Sequence, residues 1–234
     1  RQKVFTGFGR GNVQGLVNTL LWGPDNRIHG ATSSSGATLK RVLNSVDTAS
    51  GGRKPPESAP NQDAGSERSA AHNQGANAPR SPDVLQLRGR DFSFDPHALD
   101  LRAESGGGQH GMSFNDWGEK FVCSNSDHLQ MVLFEDRYVA RNPYWKTGAP
   151  RISIAADGPQ ADVFRISPIE PWRIVRTRLR KQGIVPGPVE RGGKAAGYFT
   201  GATGVTIGRG GGFWDSVSCG CALVDAVGSN LLHR

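Results

Sequence analysis

Short apolar runs broken by polar turns, rather than long amphipathic periods, dominate this chain. Leu20-Leu-Trp-Gly-Pro-Asp-Asn-Arg-Ile28 reads as an apolar strand, a Gly-Pro-Asp-Asn turn and the start of a second strand, since those four residue types supply the backbone angles a tight turn needs. Phe92 and Phe94 alternate, Asp95-Pro96 turns, and Leu99 and Leu101 alternate again. Met112 to Val122 repeats the form around a turn at Asn115 to Gly118, and Asp162 to Ile166 reads as a further strand. At period two, Ile174 to Arg180 puts Val175, Thr177 and Leu179 on one face and Arg176, Arg178 and Arg180 on the other, which predicts a strand. A short helix opened by Ser167-Pro168, with Glu170 as capping box, is the rival, weakened by Pro171.

Three segments share one grammar. Trp22 to Ile28 and Phe114 to Phe121 each place an aromatic before a tight turn, then a charged and an apolar residue, and Thr203 to Ile207 followed by Ala222 to Asp225 is a looser copy. The unit is a hairpin repeated at blade-like spacing, and radial repetition of small antiparallel sheets is a β-propeller. A sandwich has nearly the same turn spacing. The fold class expected is all-β, a partial β-propeller with a long disordered insertion.

That insertion is Asn44 to Pro82, where Val46 is the one strongly apolar residue among Ser, Ala, Gly, Asn and five prolines, and where the charges cancel. Such a stretch cannot bury enough surface to offset its ordering entropy. The expected organisation is propeller strands over 1–43, the insertion over 44–82 and further propeller strands over 83–234, as one incomplete domain whose open sheet edges favour aggregation. Composition agrees: 32 glycines and 14 prolines in 234 residues suit many turns, and 36% hydrophobic residues with a mean hydropathy of −0.46 imply that part of the chain reaches no core. No apolar run is long enough to span a membrane. Arg1 begins no signal segment, so the chain reads as an interior piece or a processed product.

The net charge of +7 is concentrated locally. Between Arg165 and Lys194, Arg165, Arg173, Arg176, Arg178, Arg180, Lys181, Arg191 and Lys194 face only Glu170 and Glu190. A nucleic-acid surface interleaves stacking aromatics, and Trp172 is the one candidate here, so a solvated basic face is preferred over a nucleic-acid partner. Cys123, Cys219 and Cys221 form no C-x-x-C or C-x-x-C-H, which excludes a zinc ribbon and an attached c-type haem within this chain. Gly208 to Gly212 lacks the Lys-Ser/Thr of a phosphate-binding loop.

Gly23-Pro-Asp-Asn-Arg-Ile28, Arg90-Asp-Phe-Ser-Phe-Asp-Pro96, Gly106-Gly-Gly-Gln-His-Gly-Met-Ser-Phe114, Ser167-Pro-Ile-Glu-Pro-Trp-Arg173 and Gly197-Tyr-Phe-Thr-Gly-Ala-Thr-Gly204 together resemble the propeller domain of planctomycete-type membrane-bound dehydrogenase proteins. That family is similar to the quinoprotein glucose and sorbosone dehydrogenases, six-bladed propellers that use pyrroloquinoline quinone and calcium. The resemblance implies an extracytoplasmic, periplasmic or membrane-associated protein, a sugar dehydrogenase-like oxidoreductase, and a c-type cytochrome domain elsewhere in the same full-length chain that takes the electrons. Two diagnostic positions depart from it. The histidine base eight residues before the Gly-Pro-Asp turn is Gly15, beside Gln14, and the quinone-binding arginine is replaced by Gly107. Both losses argue against quinone chemistry.

Among the remaining residues, His110 is the best catalytic candidate, and Gln109, His110 and His29 are candidates for ligand binding. Glycines flank His110 and let backbone or ligand come close. Imidazole there serves as base, metal ligand or hydrogen-bond partner of a buried carbonyl; the plain structural alternative is that Gly106 to Gly108 turn the chain and His110 caps a neighbouring strand. Gln109 and His110 together offer donors and acceptors suited to hydroxyl-rich molecules, so a saccharide or other polyhydroxy compound is the expected ligand if the domain binds one. Asn125 and Asp127, just after a strand, could give oxygens to calcium or cap their own turn. Asp157-Gly158-Pro159 and Asp116 read as turn residues. The functional expectation is a dehydrogenase-like propeller; the alternative is a non-catalytic propeller that binds saccharide or a protein partner.

Overall fold

The computed structural model describes residues 3–42, 84–208, 222–226 and 231–233. The expected insertion over 44–82, Cys219 and Cys221, and the glycines from 210 to 212 lie outside the described residues. The first strands are β1 (Phe5–Phe8), β2 (Asn18–Trp22), β3 (Ile28–Ala31), β4 (Ala37–Arg41) and β5 (Val84–Gln86). They are followed by β6 (Asp91–Phe94), β7 (Leu101–Glu104), β8 (His110–Phe114), β9 (Lys120–Cys123) and β10 (Gln130–Val132). Helix α1 (Asp136–Val139), β11 (Arg151–Ser153), helix α2 (Pro171–Lys181), β12 (Ala202–Ile207), β13 (Ala222–Ala226) and β14 (Leu231–His233) complete the order.

The strands form small antiparallel sheets, and the fold is an all-β partial propeller. Its blades are meanders that begin on their innermost strand: β2-β3-β6-β7, then β8-β9-β10-β11, then β12-β13-β14. Strand β8 lies between β2 on one side and β12 on the other. A side sheet, β1-β4-β5, joins β1, which precedes β2, to β4 and β5, which are inserted between β3 and β6. Residues 43–83 therefore join two strands that pair directly, with Lys40 opposite Val84 and Leu39 opposite Leu85.

The inner strands repeat one another closely. Each breaks its register near its start, between Asn18 and Leu21, His110 and Met112, and Ala202 and Gly204. Asn18, His110 and Ala202 are thus equivalent, at positions 18, 110 and 202, a spacing of 92. The backbone is left-handed at the next residue in the first two copies, Thr19 (φ 50°) and Gly111 (φ 71°). The hairpin turns match as well. Gly23 N–H donates to the Arg27 carbonyl as Asn115 N–H does to that of Glu119, and Asn26 (φ 58°) and Gly118 (φ 81°) take the left-handed corner. The repeated hairpin grammar read from the sequence is therefore real, with one adjustment: Lys120, not Phe121, stands opposite Phe114 as Ile28 stands opposite Trp22.

Alternation of side chains puts part of the apolar set between sheets, while Leu20, Trp22 and Ile152 stay exposed. Ala31, Met112, Phe114, Val122 and Val132 fill the junction of the first two blades, and Cys123, Ala161, Phe199, Ala202 and Val205 that of the next two. Ala37, Leu39, Leu87, Phe92 and Leu101 hold the side sheet on the first blade. Phe92 and Phe199 are fully buried, each contributing about 2–3 kcal/mol of burial free energy.

Two sequence expectations are corrected. Ile174 to Arg180 is not a strand but part of α2. Pro171 occupies the first turn of that helix, where it costs no hydrogen bond and presets φ, so it starts the helix rather than breaking it. Asp162 to Ile166 forms no strand; Asp162 makes a single bridge to Tyr198. Among the described residues, no helix is long and apolar enough to cross a membrane.

Candidate functional site

Strands β8 and β12 both start beside α2, and a cavity of about 480 Å³ opens between these three elements. Gln109 and His110 supply one wall, Thr200, Gly201 and Thr203 the second, and the side chains of α2 the third. Asn125 closes the floor, its carbonyl accepting from the amides of Gly201 (2.6 Å) and Ala202 (3.1 Å). Gln109 is fixed by its own amide, which donates to the Cys123 carbonyl at 2.8 Å.

His110 does not do what its equivalent Asn18 does. Asn18 spans the junction to the next blade: its Nδ2 donates to the Gln109 carbonyl and its Oδ1 accepts from Gly111 N–H, both at 3.1 Å. The His110 ring stands at the same place one blade on, half-buried, and makes no hydrogen bond among the described residues. It is left facing the cavity.

Helix α2 brings Arg173, Arg176 and Arg180, spaced at i, i+3 and i+7 and so within one face. Trp172 stacks against two of them, its ring centroid 4.7 Å from the Arg173 guanidinium and 4.6 Å from that of Arg176. Arg173 Nε is 3.0 Å from Glu170 Oε2. Glu190 is the one carboxylate in the lining, and it accepts from the buried Tyr198 hydroxyl at 3.0 Å. Burial and then the Glu190 contact push that phenol above its ordinary value, with Arg173 and Arg176 pulling the other way. The basic strip is therefore not simply solvated: three of its arginines line the cavity, while Arg165 is largely covered, donating to the Ser167 and Pro168 carbonyls.

The structure brings Gln109, His110 and Asn125 together and leaves His29 and Asp127 apart from them. His29 is buried between the first two blades, 2.9 Å from Asp25 Oδ1 and edge-on to Phe114, over the bare Cα of Gly23. Burial raises the Asp25 pKa, but the His29 hydrogen bond and charge, helped by the Arg27 amide, outweigh it and the net direction is down. Asp127 accepts from Gln130 Nε2 (2.7 Å) on one oxygen and from Ser153 Oγ (2.9 Å) on the other. Among the described residues no three His, Cys, Asp or Glu side chains gather as a metal site. Asp157, read as a plain turn residue, also holds buried His128, which stacks on Phe199.

The positions that would carry a quinone do not fit one. A Cβ on Gly107, where φ is +69°, would stand 2.3 Å from the Gly89 carbonyl oxygen, so no arginine fits there with this backbone. The Gly107 carbonyl instead accepts from Arg151 at 2.6 Å. Gly15 is buried, and a Cβ there would meet the Ser34 hydroxyl at 2.3 Å and the Ser33 hydroxyl at 3.2 Å. The glycine run serves to turn the chain, and only the residues after it reach the cavity.

Trp172 and the arginines were missed as a site because their segment read as a strand. Spacing at 173, 176 and 180, with proline in the first turn, was the signal available.

The class defined by this geometry is a partial β-propeller with a polar, arginine-rich cavity between its second and third blades. The chain belongs to the DUF7133 family, a domain of unknown function, whose model matches residues 1–59 and 62–234. Neither a search of curated proteins nor one of solved structures found a match.

Proposed function

We propose that this domain binds a saccharide or similar polyhydroxy molecule in the cavity between β8, β12 and α2, without quinone chemistry of its own. The observation that carries the reading is the unpartnered His110 ring at a position that Asn18 seals in the preceding blade. Around it stand Gln109, Asn125, Thr200 and Thr203, whose amides and hydroxyls both donate and accept, with the indole of Trp172 also in the lining. Few convergent polar groups beside an aromatic ring are what a sugar requires.

Titration of the chain with a panel of neutral sugars, followed by calorimetry and tryptophan fluorescence, tests the reading. A saturable heat and a fluorescence change that Trp172→Phe removes are expected, with loss of binding in His110→Ala and Gln109→Ala. No saturable binding by any sugar overturns it.

The second reading is the dehydrogenase-like oxidoreductase of the planctomycete-type membrane-bound family, extracytoplasmic and delivering electrons to a cytochrome domain of the same full-length chain. Its support is the sequence resemblance together with His110, a titratable group facing the cavity. Absorbance titration with pyrroloquinoline quinone and calcium separates the two: a bound-quinone spectrum favours the oxidoreductase, and none favours the binding domain.

A further inference from the structure

We infer that the polyhydroxy ligand carries an anionic oxygen group, carboxylate or phosphate, held by Arg176 and Arg180 of α2. This rests on the saccharide reading of the same cavity and adds the charge of its occupant.

The first ground is charge. Three guanidiniums line the cavity against the single carboxylate of Glu190, which already accepts from Tyr198. Arg173 has Glu170 as partner. Arg176 and Arg180 have no ion-pair partner among the described residues, and the Nε of each is shielded from solvent without a hydrogen bond. A shielded N–H without an acceptor is costly, even on a side chain that is only half-buried. Both side chains are half-buried and line the cavity from one helix face, where a bound anion offsets their charge.

The second ground is preorganisation. Trp172 stacks on Arg176 at 4.6 Å and limits its rotamers. Arg180 lies on the bare Cα of Gly187, so close that a Cβ there would come within 2.5 Å of its Nε. Gly187 takes φ +138°, a backbone region that side chains rarely adopt, so the close approach is built into the chain. A fixed guanidinium fork matches the paired oxygens of a carboxylate or phosphate in a way a mobile lysine does not. His110 and Gln109 across the cavity then meet the hydroxyl end of the same molecule.

Calorimetric titration of the full chain with glucose, glucuronate, glucose 6-phosphate and inorganic phosphate, at constant ionic strength, tests the inference. At least one anionic sugar is expected to bind about tenfold or more tightly than glucose, the scale of one charge-assisted hydrogen-bonded contact. Glucuronate against glucose 6-phosphate tells carboxylate from phosphate. Arg176→Gln and Arg180→Gln should each weaken the anionic sugar about tenfold, Arg176→Lys less so, and the exposed Arg178→Gln not at all. Should a glutamine variant fail to fold by circular dichroism, the sugar comparison on the unaltered chain still decides. Equal affinity for glucose and both anionic sugars overturns the inference and leaves saccharide binding standing. Binding of inorganic phosphate that depends on Arg176 and Arg180, with no gain from the sugar, upholds the anion site and overturns the saccharide reading. No heat with any of the four overturns both.

Discussion

Asn18 and His110 hold the same position in consecutive blades, at the start of β2 and of β8, and only Asn18 reaches across to the next blade. Its amide satisfies one donor and one acceptor of the β8 backbone on either side of His110. Asn18→Ala leaves both unpaired in a partly buried junction and should cost about 1–3 kcal/mol, read as a lower midpoint in urea. His110→Ala removes no hydrogen bond and should leave that midpoint nearly unchanged while abolishing sugar binding. A large stability loss in His110→Ala would show that its ring is structural.

Gly111, beside His110, is pinned by the third blade. With φ at +71°, a Cβ there would stand 2.9 Å from the Gly204 Cα and from the Val205 amide nitrogen. Both atoms are backbone and cannot give way locally. Gly111→Ala should cost at least about 2 kcal/mol, from left-handed strain plus separation of β8 and β12. It should also lower ligand affinity, because the cavity lies at that same junction. Equilibrium denaturation checks the first effect and calorimetry the second.

Lys120 and Asp91 form a buried ion pair at 2.7 Å, and the Lys120 ammonium also donates to the Ser105 carbonyl at 2.7 Å. Their side chains are 4% and 0% exposed, so neither can turn to water. Lys120→Met strands a carboxylate in the core and should cost about 3–5 kcal/mol; the double change Lys120→Met with Asp91→Asn should recover part of it. Chemical denaturation of the three variants measures the coupling. Additive losses would mean that the pair contributes nothing jointly.

Glu135 gives a pH signature. Its burial, then the charge of Glu104, raise its pKa above the ordinary value, against the pull of the Ser105 amide and Lys120. A raised folded-state pKa means that the group's stabilising contribution is complete below the ordinary carboxylate range and is lost as pH rises through the shifted value. Glu135→Gln keeps an acceptor for Ser105 without the charge. It should therefore equal the unaltered chain in acid and exceed it in stability toward neutral pH, which thermal melts at pH 4 and 7 would show.

Replacement of residues 43–83 by a short turn should leave the propeller folded. Strands β4 and β5 already pair across the gap, Lys40 opposite Val84, so a turn needs to span only one ladder rung. Retention of the circular-dichroism spectrum and of sugar binding is the expected result; loss of both would mean that the segment contributes to the core.

Residues themselves decided the hairpins. Gly23 to Asn26 and Asn115 to Gly118 carry their turn geometry in their own backbone preferences and side chains, as with the two amides held by Asn115 Oδ1, so local sequence sufficed for the all-β class and the repeated unit. The place of His110 at the entrance of an inner strand was also legible. What local pattern could not decide was Ile174 to Arg180, where alternation and helical spacing both fit and only the seating of Pro171 in the first turn tipped the balance. Nor could it separate His29 from His110, two histidines near strand ends, one of them buried against Phe114 and Asp25 and the other left facing a cavity. That distinction, and the meeting of α2 arginines with strand starts far away in sequence, depends on which blade packs beside which. Contacts of that kind come from burial of whole sheet faces against one another, and no short window of residues encodes them.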